Sequence, residues 1–164
     1  MARSGFAAIS AAIVAKLQSD MPAKVAELNA EYADAYVLAT PAAASYHDYV
    51  PNPLTMRCEW PAVVVYDDGD EEDAGQSNID LHVMRYAVVV DFIIRGADPA
   101  DLTYRLRRYK RAGIEILTAR HALAPTCTNC TYERGGGLAL TDRDSGDLLQ
   151  DMASRFIVTT AEAS

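Results

Sequence analysis

The strongest pattern along the chain is the alternation in residues 83–95, V-M-R-Y-A-V-V-V-D-F-I-I-R. Successive side chains of a strand point to opposite faces. Met84, Tyr86, Val88, Val90, Phe92 and Ile94 therefore share one unbroken apolar face, which predicts a strand set against a core. The opposite face collects Val83, Arg85, Ala87, Val89, Asp91 and Ile93, a mixed surface suited to water or to another subunit. Gly96-Ala97-Asp98-Pro99 then turns the chain. Asp98 is placed to cap a helix, Pro99 suits its first position and Asp101 adds negative charge to the first turn. Leu102, Leu106, Tyr109, Gly113, Ile116 and Leu117 recur at helical spacing, predicting an amphipathic helix that ends near Ala124-Pro125.

The same reading extends to both ends. Phe6, Ile9, Ile13 and Leu17 predict an amphipathic helix to about Ser19, capped by Ser4. The apolar start resembles a signal peptide only superficially, because Ser10, Lys16 and Gln18 interrupt it. Pro22 predicts a break, with a second helix over residues 23–38 carrying Val25, Leu28, Tyr32, Ala35 and Tyr36. Residues 40–59, with three prolines and an apolar group of Tyr46, Tyr49, Val50 and Leu54, predict a long loop lying against its own domain or a neighbour. A strand over residues 60–66 should pair as a hairpin with one rising in residues 78–83, leaving the acidic residues 67–75 as the connection. Further strands are predicted over residues 126–133 and 138–140. A last one, over 152–160, places Met152, Ser154, Phe156, Val158 and Thr160 on one face.

The expected class is α+β: an antiparallel sheet of about four strands, with the N-terminal and central helices packed on one face. At 164 residues, a single domain spanning 1–164 fits the length. With 15 Lys and Arg against 23 Asp and Glu, the net charge is −8, unsuited to general nucleic-acid binding, which depends on cationic side chains meeting phosphates. No stretch approaches the roughly 20 apolar residues of a membrane-spanning helix.

Candidate chemistry is sparse. Cys127-Thr128-Asn129-Cys130 has the spacing of a zinc or redox pair, with Cys58 and one of His47, His82 or His121 as further ligands. Flanking strand-forming residues instead favour two small side chains in a strand, pointing to opposite faces. The run Asp67, Asp68, Asp70, Glu71, Glu72 and Asp73 offers oxygens to calcium but lacks the alternating register of an EF-hand loop, so a solvated tip is expected. The same charge would also suit a channel or a basic partner. Arg105, Arg107, Arg108, Lys110 and Arg111 lie on the polar side of the central helix, set for local ion pairs or for an acidic neighbouring subunit. No nucleophile motif or phosphate loop marks an enzyme, and no cofactor is implied.

The order of elements resembles a known family. An Ala- and Ile-rich N-terminal helix (A-A-I-S-A-A-I-V-A-K-L) precedes a P-A-V-V-V-Y strand and an acidic hairpin. The corner Y-A-V-V-V-D-F-I-I-R-G-A-D-P-A-D-L follows, and R-F-I-V-T-T closes the chain. This is similar to the small tail-terminator (tail-completion) proteins at the neck of long-tailed bacteriophages. The resemblance covers most of the chain, though residues 40–59 and the CxxC lie outside it. It implies a structural virion protein at the tail and neck, assembled in the host cytoplasm. It also implies a homohexameric ring that ends the tail tube, with the major tail tube protein and the head–tail connector or stopper as neighbours. DNA would pass through the lumen without specific binding. Asp67, Asp68, Asp70, Glu71, Glu72, Asp73, Arg85, Asp91, Arg107, Arg108 and Arg111 would then serve interfaces or lumen. Two alternatives stand beside it: another head–tail joining protein, or a small metal- or ligand-binding domain using Cys58, Cys127 and Cys130.

Overall fold

A computed structural model of the protein describes residues 5–48, 60–73, 76–77, 81–137, 139–141 and 147–163. In chain order these form helix α1 (Phe6–Tyr32), a short 3-10 turn (Ala43–Ser45), strands β1 (Tyr46–His47), β2 (Ala62–Glu72) and β3 (Leu81–Gly96), helix α2 (Pro99–Leu117), and strands β4 (Asn129–Gly136), β5 (Ala139–Thr141) and β6 (Leu148–Ala163). The sheet order is β1-β2-β3-β6-β4, with β5 beside β6. Both helices lie on one face, as the α+β reading expects. Among the described residues the sheet has six strands: the short strand expected over 138–140 is β5, and two-residue β1 is the one too short to leave a sequence pattern. The β1–β2 pair is parallel and the rest are antiparallel.

Strand β3 runs through the middle, paired with β6 from Leu81 to Gly96 and with β2 from Met84 to Ile93. Its apolar face is core: Val88, Val90 and Phe92 are fully buried, with Tyr86 and Ile94 nearly so. They meet Phe156 and Val158 of β6, Val63 and Val65 of β2, and the buried stripes of both helices. Asp98 caps α2 as expected, its carboxylate accepting from Ala100 N–H at 2.9 Å. The helix ends sooner than expected, at Leu117, where a turn with His121 at φ 59° carries the chain to Cys127.

The expected break at Pro22 does not occur: α1 is one helix from Phe6 to Tyr32 with Pro22 inside it. Proline in a helix interior costs about 3 kcal/mol. Burying a large apolar side chain contributes about 1.5–3 kcal/mol. Met21, Val25 and Leu28 continue the stripe of Ile9, Ile13 and Leu17, so together they outweigh the proline. Residues 33–38 then run back without regular structure rather than continuing a helix. Asn29 holds them there, donating to Leu38 C=O at 3.0 Å and accepting from Leu38 N–H at 2.8 Å. Ser4 lies outside the described residues, and Gly5 occupies the N-cap without a side-chain bond.

The acidic run is not a hairpin tip either. Asp67 to Glu72 belong to β2 and pair with residues 84–88 of β3. Asp67 faces Val88 while Asp70 faces Tyr86, so one extra residue bulges from β2. Gly69 takes it up at φ 114°, a conformation that side chains other than glycine's rarely adopt. Its N–H donates to Asp67 Oδ1 at 2.9 Å.

Candidate interaction surfaces

The sheet face away from the helices is built by Ala62, Val64, Tyr66 and Asp68 of β2, the odd-numbered residues 83–95 of β3, and the odd-numbered residues 149–161 of β6. Among the described residues no helix covers it. At one end, Ala62, Val64, Ile93 and Leu149 form a small apolar cluster with Trp60 and Tyr66. The other end is charged.

Arg155 organises the charged end. It stands on β6 opposite Val89, and its guanidinium bridges Glu133 of β4 and Asp68 of β2, the latter through Nε at 2.7 Å. Strands lie about 4.8 Å apart, so reaching β2 takes the side chain across all of β3. Val89 beneath it is 8% exposed. Both carboxylates sit at irregularities: Asp68 in the β2 bulge, Glu133 where β4 slips by one residue between Tyr132 and Arg134. The β2 bulge also brings Glu71 opposite Arg85, with a contact of 3.2 Å. Asp68, Asp70, Glu71, Glu133, Arg85 and Arg155 thus surround a hollow of about 370 Å³ floored by Ala87 and Ile157.

Between the two ends lies a pair of carboxyl groups. Asp91 faces Ala153 and Asp151 faces Ile93, which places the two acids diagonally on one face and in hydrogen-bond contact. Asp91 is 8% exposed, and its Oδ1 has no hydrogen-bond partner among the described residues. Burial, then the charge of Asp151, lift its carboxyl from the ordinary 3.8 to about 8. Tyr66 beside the pair has its phenol raised, first by burial and then by Asp91 and Asp151. Asp91 stands on the open face where the alternation of β3 places it, and neighbouring side chains bury it there.

On the helix side, the cationic residues of α2 divide by direction. Arg107 is exposed, and with Lys110, Arg111, Ile114 and Glu115 it borders a shallow hollow of about 290 Å³. Arg111 donates to Glu115 and to Glu31 of α1, both at 2.7 Å. Lys110 lies 5.4 Å over the ring of Tyr132. Arg105 pairs with Asp101 one turn back, at 2.8 Å. Arg108 turns inward instead. It is 6% exposed, forks onto both oxygens of Asp34, donates to Tyr36 C=O at 2.7 Å and lies 4.0 Å over the Tyr32 ring. The guanidinium holds the Asp34 carboxyl below its usual range. Arg108 is a clasp between α1 and α2 rather than part of the outward cationic surface.

The cysteines show another arrangement. Cys127 precedes β4 and Cys130 lies within it, yet both thiols are buried in the main core rather than on opposite faces. Burial pushes Cys127 up to about 11 and Cys130 to about 12, so neither is a thiolate at neutral pH. Cys58 lies outside the described residues. Among those described, no three His, Cys, Asp or Glu side chains converge as metal ligands. His82 instead contacts Glu72 at 3.0 Å, and among the described residues no helix is long and apolar enough to cross a membrane. Asp73, Arg85 and Glu72 remain at the far end of the β2–β3 ladder, as the chain order implies.

Two features here were not anticipated from sequence: the Arg155 bridge and the Asp151 partner of Asp91. The signal for Arg155 was present, since it is the one cation of the closing R-F-I-V-T-T strand and alternates against buried Phe156.

No protein-family model matches the chain, and no curated protein matches it. Among solved structures it is similar to a chain from the virion of a native gene transfer agent particle, at 17% identity and a TM-score of 0.42. The alignment covers 78% of this chain and 87% of that one.

Proposed function

We propose that the protein is a structural subunit that assembles with copies of itself into a ring at the neck of a phage-like virion. There it would end the tail tube and join it to the head connector. The observation that carries this reading is the separation of charge across the domain. On the helix side, Arg107, Lys110 and Arg111 of α2 border an outward hollow whose lining carries Glu115 as its one acid. The open sheet face on the other side bears Asp68, Glu71, Glu133 and Asp151, together with Arg85, Arg95 and Arg155. Two unlike surfaces on opposite sides favour head-to-tail contact, which closes into a ring when the rotation between copies permits. The acidic balance also suits a lumen through which DNA moves without adhering.

Light scattering across a concentration series, with and without tail tubes, tests the proposal. A mass near six copies, alone or once tubes are added, supports it. A monomer under both conditions rejects it.

A further inference from the structure

We infer that Cys127 and Cys130 form an oxidation site: a small hydroperoxide entering the hollow beside them converts the two thiols into a disulfide at the root of β4. This goes beyond the assembly reading above and does not depend on it.

The local path of the chain puts the two side chains together. In a straight strand, residues three apart are separated by about 10 Å and point to opposite faces. Here the chain bends at Thr128, between the turn that follows α2 and the start of β4. Thr128 ties the bend to β6, its N–H and its hydroxyl both donating to Thr159 C=O at 2.9 Å. Cys127 and Cys130 therefore enter the same core cluster. They are near enough for the charge of one to act on the other, since Cys127 adds to burial in holding the Cys130 thiol protonated.

The hollow sets the size of the oxidant. It measures about 100 Å³, and Cys127 and Cys130 line it with Leu117, His121, Thr128 and Asn129. A water molecule takes up about 30 Å³ of liquid volume, so hydrogen peroxide fits and a bulky reagent such as oxidised glutathione does not. The thiolate of one cysteine attacks a peroxide oxygen. The O–O bond breaks, the departing hydroxide takes up a proton to become water, and a sulfenic acid stays on the sulfur. The second sulfur attacks the first, the S–O bond breaks, and the oxygen leaves as water with the second thiol's proton. Two thiols and one peroxide thus give one disulfide and two waters. Cys127, raised to about 11 where Cys130 is raised to about 12, ionises more readily and reacts first. Both are mostly protonated at neutral pH, so the site responds to sustained exposure rather than brief contact. The product staples the turn after α2 to β4, a strand that pairs with β6 alone.

The test is peptide mapping of the folded wild type after exposure to hydrogen peroxide. Trypsin cuts after Arg120 and Arg134, so both cysteines fall in one peptide, residues 121–134, apart from Cys58. That peptide should become lighter by two hydrogens and closed to alkylation until it is reduced. Dimedone should trap a sulfenic acid on Cys127 in the Cys130→Ser variant. The wild-type map decides by itself should that variant fail to fold. Oxidised glutathione at equal concentration should act at least about tenfold more slowly, because exchange requires it to reach a buried sulfur. Two thiols still open to alkylation in the folded protein, under conditions that oxidise them in urea, overturn the inference. A sulfinic or sulfonic acid on either cysteine without a disulfide also overturns it. Equal rates with peroxide and glutathione would place the chemistry in a locally opened chain rather than in the hollow, and overturn it as well.

Discussion

Gly113 of α2 lies directly against the ring of Phe92 on β3. A Cβ built on Gly113 would come within 2.9 Å of Phe92 Cε2 and 3.0 Å of Cζ. The missing side chain is what lets the helix settle onto the central strand. Phe92 cannot readily turn aside, because its other contacts include Tyr109, stacked with ring centroids 5.8 Å apart. Gly113→Ala gains about 1 kcal/mol of helix propensity. Overpacking a well-filled core costs about 1–3 kcal/mol. We expect a net loss of stability of about 1 kcal/mol, read from urea unfolding. A more stable variant would show that the ring has room to move.

Pro22→Ala should act the other way. It restores an N–H in the interior of α1 and relieves the clash of the ring with the preceding turn. Part of the roughly 3 kcal/mol is lost again, because alanine loosens the unfolded chain by about 0.4–1 kcal/mol. A gain of about 2 kcal/mol in thermal or urea unfolding is expected. No gain would mean that the helix has adapted its path to the proline.

Arg108→Ala removes the clasp that ties α2 to the end of α1 and to residues 34–36, where the guanidinium makes charge-assisted hydrogen bonds to Asp34 and Tyr36 and stacks on Tyr32. A hydrogen bond to a charged group contributes about 1.5–3 kcal/mol, so a loss of about 2 kcal/mol is expected. Arg108→Lys should recover only part of it, since an ammonium cannot fork onto a carboxylate. Equal melting temperatures for the Arg108→Lys variant and the wild-type protein would reduce the clasp to a simple charge.

The Asp91–Asp151 pair makes stability depend on pH in a stated direction. With its carboxyl raised from 3.8 to about 8, folded Asp91 binds a proton that the unfolded chain has released. Stability from this site is full below about pH 4 and declines as pH rises toward 8. Asp91→Asn keeps the shape and removes the titration. The difference in unfolding free energy between variant and wild type should therefore shift in favour of Asn steadily between pH 5 and pH 8. A constant difference across that range would show that the pair does not hold a shared proton.

The parts of the molecule visible in sequence are those governed by neighbours along the chain. The alternation of β3, the Asp98-Pro99 start of α2 and the Ser154-Phe156-Val158-Thr160 face each depend on local spacing, and each is present. Pro22 misled because the local penalty was opposed by burial against distant residues. Arg108 misled because it sits at the border of the buried stripe, next to Tyr109, and only the position of α1 decides its direction. The acidic strand was read as a loop for a similar reason. Five carboxylates argue against a strand until β3 supplies the pairing, with Arg85 opposite Glu71 and His82 beside Glu72. Register slips at Gly69 and Glu133 leave no periodic trace, and they create the Arg155 bridge.

The outer edge of β2 carries a different consequence. Strand β1 pairs only with Val63 and Val64, so among the described residues no strand is paired along that side of β2 from Val65 to Glu71. Unpaired strand edges invite another chain to add on, the first step toward fibrous aggregation. Here Asp67, Asp68, Asp70, Glu71 and Glu72 line that edge, and the bulge at Gly69 bends it. Two such edges brought together would stack like charges at strand spacing along a kinked ladder. The acidic run thus keeps copies from zipping together edge to edge, and it confines any orderly meeting between them to faces.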